Sequence, residues 1–241
     1  MNMRLLQDFQ IIAAKEYKEL GRKSTTMVTM ALLLMGGIFN FIVVARSLQF
    51  LPGVTTLIVD LLFTHYALSM NMFVVFMLIN NIFMKEKYTK TLETLLTTPL
   101  SARTIWLGKS SFVFIVAILF SYVSCVVGFI AFTLSSKASP DIVWPSAQAV
   151  FFALVVLPLS SIAIVCLLSA INLILWNAAI CNAVFFLGGV AYLGGSSARI
   201  RQLRLTWTSD FVQLSIATSL IALAWLLSHL LTNERIVVGR S

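Results

Sequence analysis

Charge is scarce in this chain. Only 11% of its 241 residues are Asp, Glu, Lys or Arg, against about 25% in ordinary soluble domains. A hydrated globular surface of the usual kind is thereby excluded. Cysteine is scarce too. Cys125, Cys166 and Cys181 all fall in apolar segments without metal-ligand spacing, so neither a disulfide framework nor a thiolate metal site is expected. There is no G-x-x-x-x-G-K-[ST] loop, which removes one common way of cradling nucleotide phosphates. No removable signal peptide is expected, because about 25 polar and charged residues precede the first long apolar run. There is no internal repeat, and no linker is long enough to separate domains.

Apolar sequence fills the space left by charge. Hydrophobic residues make up 59% of the chain. They come in continuous runs rather than alternating patterns. Lipid admits only helices or closed barrels, since every backbone polar group must be satisfied internally. Continuous runs select helices. The expected fold is therefore an all-α polytopic membrane protein. The net charge of +8 fits cytoplasmic loops and anionic headgroups better than nucleic acid.

Read in order, residues 4–20 repeat Leu6, Phe9, Ala13, Tyr17 and Leu20 at helical spacing, with Asp8, Lys15, Lys18 and Glu19 elsewhere on the wheel. This predicts an amphipathic helix in the interface plane within residues 1–25. Six spans follow within 26–231, at about 26–45, 56–84, 111–134, 146–170, 178–194 and 211–231. Residues 102–110 form a lead-in to the third span, with Trp106 and Lys109 suited to the interface. Pro158 predicts a kink in the fourth span. A short tail, 232–241, closes the chain.

The densest charge lies between spans two and three, at residues 85–101. As a helix, this stretch puts Glu86, Lys90, Glu93 and Thr97 on one face and Tyr88, Leu92, Leu95 and Leu96 on the other. Glu86 and Lys90 form a favourable i,i+4 pair. Pro99 stops the helix, and Ser101 can cap the next. Glu86, then Thr91-Leu92-Glu93-x-Leu95-Leu96-x-x-Pro99-Leu100-Ser101, then Gly108-Lys109 resembles the first cytoplasmic loop of ABC-2 type transporter permeases.

That resemblance covers about 25 residues in motif, and more of the chain in span layout. It implies that 85–101 contains a coupling helix docked on a separate ATPase subunit. ATP and Mg would be bound on that partner, with no cofactor bound by this chain. It also implies a second permease subunit, identical or related. Glu86, Lys90, Glu93, Leu92, Leu95, Leu96, Thr97 and Pro99 become candidate ATPase-interface residues. The function implied is the membrane subunit of an exporter, not an enzyme in itself.

Six spans place both termini on one side. If that side is the cytoplasm, inner segments hold 12 Lys and Arg residues and outer segments hold 5: Arg46, Lys137, Arg199, Arg201 and Arg204. The positive-inside rule then favours cytoplasmic termini and a cytoplasmic 85–101 loop in the inner or plasma membrane. The trio Arg199, Arg201 and Arg204 runs against it. They are candidates for outer-face contact with anions or lipid headgroups, or simply a solvated loop.

Asp60 and His65 are the ionisable residues nearest the membrane interior. A charge at mid-bilayer costs at least about 2.5–3.5 kcal/mol. They are therefore candidates for a substrate path or a proton sensor, unless Asp60 merely reaches water at the end of its span. Ser196 or Ser197 with His229 makes no convincing nucleophile and base, since their expected depths differ. Two other functions remain open: an ion-coupled secondary transporter, which would need more intramembrane acid than Asp60, and a non-transporting membrane anchor or assembly factor.

Overall fold

The computed structural model describes residue 18 and residues 24–48, 55–84, 102–135, 143–174 and 207–229. All regular structure among them is helical. Helix α1 is Ser24–Leu48. Helix α2 is built from Thr55–Leu61 and Ala67–Ile79, with wide turns of the i→i+5 type at Leu62–Tyr66 and Asn80–Met84. Helix α3 is Ala102–Ser135. Helix α4 is Ala147–Phe151 and Leu157–Ile174, joined by a third wide turn at Phe152–Val156. Helix α5 is Trp207–Ser228.

Four stretches are long and apolar enough to cross a membrane: Thr55–Phe83, Arg103–Leu134, Ala147–Leu173 and Asp210–Ser228. By the same measure Val28–Phe39 of α1 is a shorter apolar helix. The protein is thus all-helical with at least these four membrane-crossing candidates. The anticipated interfacial helix lies outside the described residues except for Lys18, which is helical and exposed. The loop with Glu86, Lys90, Leu92, Glu93, Leu95, Leu96, Thr97 and Pro99 also lies outside them. So do the span at 178–194, the trio Arg199, Arg201 and Arg204, and the tail 232–241.

The end of the bundle where α2 stops and α3 starts is here termed the loop end, and the opposite end the far end. Helices α1 and α2 run antiparallel. Met30 shares a cluster with Val74, Val75 and Leu78, and seven residues later Gly37 meets Met70 and Tyr66. A Cβ on Gly37 would collide with Met70 Cε and come within 3.1 Å of the Tyr66 hydroxyl oxygen, whereas one on Gly36 would meet nothing within 4 Å. Gly37 therefore sets how closely α1 approaches. Gly128 does the same for α3, where a Cβ would lie 2.9 Å from Leu62 Cδ1. Lipid tails are as apolar as leucine, so such close fits, more than expulsion of water, hold membrane helices together.

Pro158 acts through backbone satisfaction. Across the wide turn, the Leu157 N–H donates to the Phe152 carbonyl, five residues back. The next donor in that pattern would be the N–H of residue 158, aimed at the Ala153 carbonyl. Proline has no N–H. The Tyr122 hydroxyl of α3 donates to the Ala153 carbonyl instead, at 2.9 Å, so that carbonyl is not stranded. The kink expected at Pro158 thus takes the form of a wide turn ahead of the proline, tied to α3. In α2 the Leu62 carbonyl accepts from the Ala67 N–H across the wide turn. The Cys125 thiol also reaches it, at 3.6 Å.

Residues 102–110 lead into the third span as part of the same helix: α3 is one helix of 34 residues, about 51 Å long against a hydrocarbon core of about 30 Å. One expectation is corrected. Trp106 and Lys109 do not anchor at an interface. They are 5% and 1% exposed, because the face of α3 that carries them packs against α2 and α4.

Candidate functional site at the loop end

The first two turns of α3 carry Arg103, Trp106, Lys109 and Ser110 at spacings of 3, 3 and 1. Three of the four point into the bundle. The Trp106 indole N–H donates to Ser169 Oγ of α4 at 2.8 Å. Ser110 Oγ lies 2.7 Å from the same oxygen. Ser169 Oγ lies 3.1 Å from the Cys166 carbonyl and donates to it. A hydroxyl has one proton and two lone pairs. With the Ser169 proton on Cys166, its lone pairs accept from Trp106 and Ser110, so Ser110 is the donor of that pair. The hydroxyl is then fully satisfied, and α3 and α4 are joined by a saturated polar node inside an apolar cluster that includes Phe112, Val165 and Leu173.

Arg103 faces the opposite direction, to α5. Its Nε donates to the Ser228 carbonyl at 3.1 Å, and one terminal nitrogen lies 3.2 Å from His229 Nδ1. A guanidinium only donates, so Nδ1 accepts and the neutral ring holds its proton on Nε2. A cation on the last carbonyls also complements the negative end of the α5 dipole. The His229 ring sits edge-on to Trp225, 4.6 Å between centroids. Lys109 Nζ lies 6.0 Å from the centroid of the Phe83 ring in the last turn of α2, at the limit of cation–π attraction. One stretch of eight residues, 103–110, thus engages α2, α4 and α5.

The far end has its own ties. Asp60 is buried, and its Oδ1 accepts from the Ser146 backbone N–H at 2.7 Å. Ser146 caps α4 by accepting from the Ala149 N–H at 3.2 Å. Gln148 Nε2 donates to Asp210 Oδ2 in the first turn of α5 at 2.9 Å. Trp207 stacks at a tilt on Phe151, 5.5 Å between centroids. Asp60 therefore fixes the entry into α4, with Thr64 donating to its carbonyl at 2.8 Å. His65 is half-buried in the wide turn of α2, and its carbonyl accepts from Ser69 Oγ at 2.8 Å.

Sequence reasoning missed Arg103, Ser110, Ser169 and Asp210. For Ser110 the signal that could have found it was the recurrence of polar groups on the inward face of α3, at 106 and 110, where apolar side chains would be ordinary. Among the described residues no group of three His, Cys, Asp or Glu side chains could hold a metal ion. What the loop end can do is mechanical. A displacement of the first turns of α3 is delivered at once to three neighbours. Comparison with family models, with curated proteins and with solved structures finds no match to this chain.

Proposed function

We propose that this chain is the membrane subunit of an ATP-binding-cassette exporter of the ABC-2 type, driven by a separate ATPase subunit. The observation that carries the reading is the position of the 85–101 motif. It connects Met84 to Ala102 directly, so a force on the loop acts on the wide turn Asn80–Met84 and on the α3 turn bearing Arg103, Trp106 and Ser110. In this reading Glu86, Lys90, Glu93 and Thr97 meet the ATPase, Leu92, Leu95 and Leu96 seat the loop helix on the membrane domain, and Pro99 sets its angle into α3. A pair of permease subunits stands over two ATPases, and ATP-driven closure below moves substrate outward.

Helix directions support the six-span form of this reading. Helices α4 and α5 meet at the far end through Gln148 and Asp210. Both reach α3 at the loop end, through Ser169 and Ser228. They run parallel. A chain that leaves α4 at the loop end and enters α5 at the far end has to recross the bundle an odd number of times, which is what a fifth span at 178–194 supplies. With the termini and the 85–101 loop cytoplasmic, the loop end is the cytoplasmic end.

The test is affinity purification of the detergent-solubilised chain from its native host, followed by ATP hydrolysis assays. A stoichiometric ATPase is expected, with association lost in Glu93→Arg and Leu96→Asp. Copurification that survives both substitutions unchanged would refute the docking role of the loop.

A further inference from the structure

Halfway between the two polar ends lies a third polar layer. On α2, Asn71 sits between Ala67 and Leu68, which belong to one apolar cluster, and Val74 and Val75, which belong to the next. On α4, Ser160 and Ser161 sit between Val156 and Leu157 of the first cluster and Ile164 and Val165 of the second. The same two clusters flank the polar residues on both helices, so Asn71 and the two serines share one level. Asn71 follows Asp60 by eleven residues and precedes Phe83 by twelve, about 16 and 18 Å along the helix at 1.5 Å per residue. The level is the middle of the bundle.

These side chains are fully enclosed. Asn71 and Ser161 are 0% exposed and Ser160 is 3% exposed. Asn71 shares its face of α2 with Ala67, Val74 and Leu78, all 0% exposed, so the amide is turned to the helix interface and not to lipid. Its oxygen and nitrogen both lack a hydrogen-bond partner among the described residues, as do the hydroxyls of Ser160 and Ser161. A buried polar group left without a partner is unfavourable, so such groups call for one. Other buried hydroxyls of the bundle are bonded: Ser121 and Ser124 of α3 donate to carbonyls of their own helix, and Tyr122 donates to Ala153.

We infer that Asn71, Ser160 and Ser161 form an internal hydration site, which holds water at the middle of the membrane-spanning bundle. Water is the ligand that fits. The layer offers donors and acceptors together and no formal charge, and the buried charged residues, Asp60, Asp210 and Lys109, belong to the ends. Enclosed water typically makes about three hydrogen bonds, and the amide with two hydroxyls supplies that many.

The experiment labels single cysteines in the full-length protein in lipid nanodiscs with a small, neutral, water-borne thiol reagent. Mass spectrometry of peptides resolves each site from Cys125, Cys166 and Cys181. Only a thiolate reacts, and it forms only where water is present, so Ser161→Cys should react about tenfold faster than Leu157→Cys or Val165→Cys in the flanking clusters. Adding Asn71→Leu should bring Ser161→Cys down to the rate of those controls. Retained thermal midpoints certify that each variant is folded. Equal slow rates at 157, 161 and 165 would overturn the site. So would fast labelling of Ser161→Cys that Asn71→Leu leaves unchanged, because the amide would then hold no shared water. Neither result depends on an ATPase partner.

Discussion

Ser169→Ala is the sharpest perturbation the loop end offers. It deletes one oxygen and strands two donors, the Trp106 indole N–H and the Ser110 hydroxyl. Ser110 can rotate back to a carbonyl of its own helix, as Ser121 and Ser124 do, so its loss is small. The indole is rigid and buried and has no such recourse. A buried donor left without a partner costs about 1–3 kcal/mol. Hydrogen bonds between membrane helices average about 0.6 kcal/mol because the unfolded chain in lipid also finds partners. Together these bracket the Ser169→Ala loss at about 1–2 kcal/mol. Trp106→Phe should cost a similar amount for a different reason: it keeps Ser169 bonded to Ser110 and Cys166 but leaves a gap where the larger ring packed.

The separating measurement is a double-mutant cycle, read by equilibrium unfolding in mixed detergent micelles. Trp106→Phe combined with Ser169→Ala should be less destabilising than the sum, by a coupling of about 0.6–1.5 kcal/mol. Ser110→Ala with Ser169→Ala should couple more weakly. A Trp106–Ser169 coupling within about 0.3 kcal/mol of zero would refute the node, leaving Trp106 as packing alone.

Three further outcomes follow from the same geometry. Gly37→Ile should destabilise by about 1–3 kcal/mol through forced separation of α1 from Met70 and Tyr66, while Gly36→Ile should be near neutral, as thermal midpoints in detergent would report. Asp60→Asn keeps an acceptor for the Ser146 N–H and should cost under about 1 kcal/mol, whereas Asp60→Leu strands that donor and should cost about 1–3 kcal/mol. If Asp60 also serves transport, Asp60→Asn abolishes it in a stable protein, and vesicle uptake assays separate the two roles. Tyr122→Phe should cost about 1–2 kcal/mol by leaving the Ala153 carbonyl without a donor, a loss that Pro158→Ala should largely cancel by restoring an N–H.

Helical class, membrane character and the positions of the described spans were legible because they depend on local quantities. A run of about twenty apolar residues reads as a helix in lipid whatever it packs against. The ends of α1, α2 and α4 fall within a few residues of expectation for that reason. Function-bearing contacts were illegible because they depend on which faces meet. Trp106 reads as an interfacial anchor in any single-chain view, since tryptophan beside lysine at a helix start is the usual anchoring pattern. Only its bonding partner Ser169, on another helix, makes it an interior donor. Asp60 was singled out by its charge, but its partner is a backbone N–H at the start of another helix, which no residue type advertises. Asp210 falls just outside the expected sixth span at 211–231. In the fold it is a first-turn residue of α5, where a carboxylate suits the helix dipole and Gln148 supplies its donor.

The distribution of polar contacts says how such a bundle can move. At the far end, Asp60, Ser146, Gln148 and Asp210 tie α2, α4 and α5 to one another. At the loop end the hydrogen bonds from α4 and α5 both go to α3, within residues 103–110. Between the ends, α3 is held by the Tyr122 and Cys125 contacts to the wide turns of its neighbours and otherwise by apolar packing, which tolerates sliding better than directed bonds do. Helix α3 is thus bonded to its neighbours at the loop end and again at the two wide turns. Its first turns are also where a displacement would be felt by α4 and α5 together. The wide turns at Leu62–Tyr66 and Phe152–Val156 lie where α3 touches them, and a turn with one surplus residue can relax to an ordinary helical turn with little loss of hydrogen bonding. If the chain is the proposed exporter subunit, a push on α3 from the 85–101 loop should be taken up at those two turns. Locking either one, by restoring the regular pattern with deletion of one residue from the turn, should uncouple the loop from the far end while leaving the helices intact.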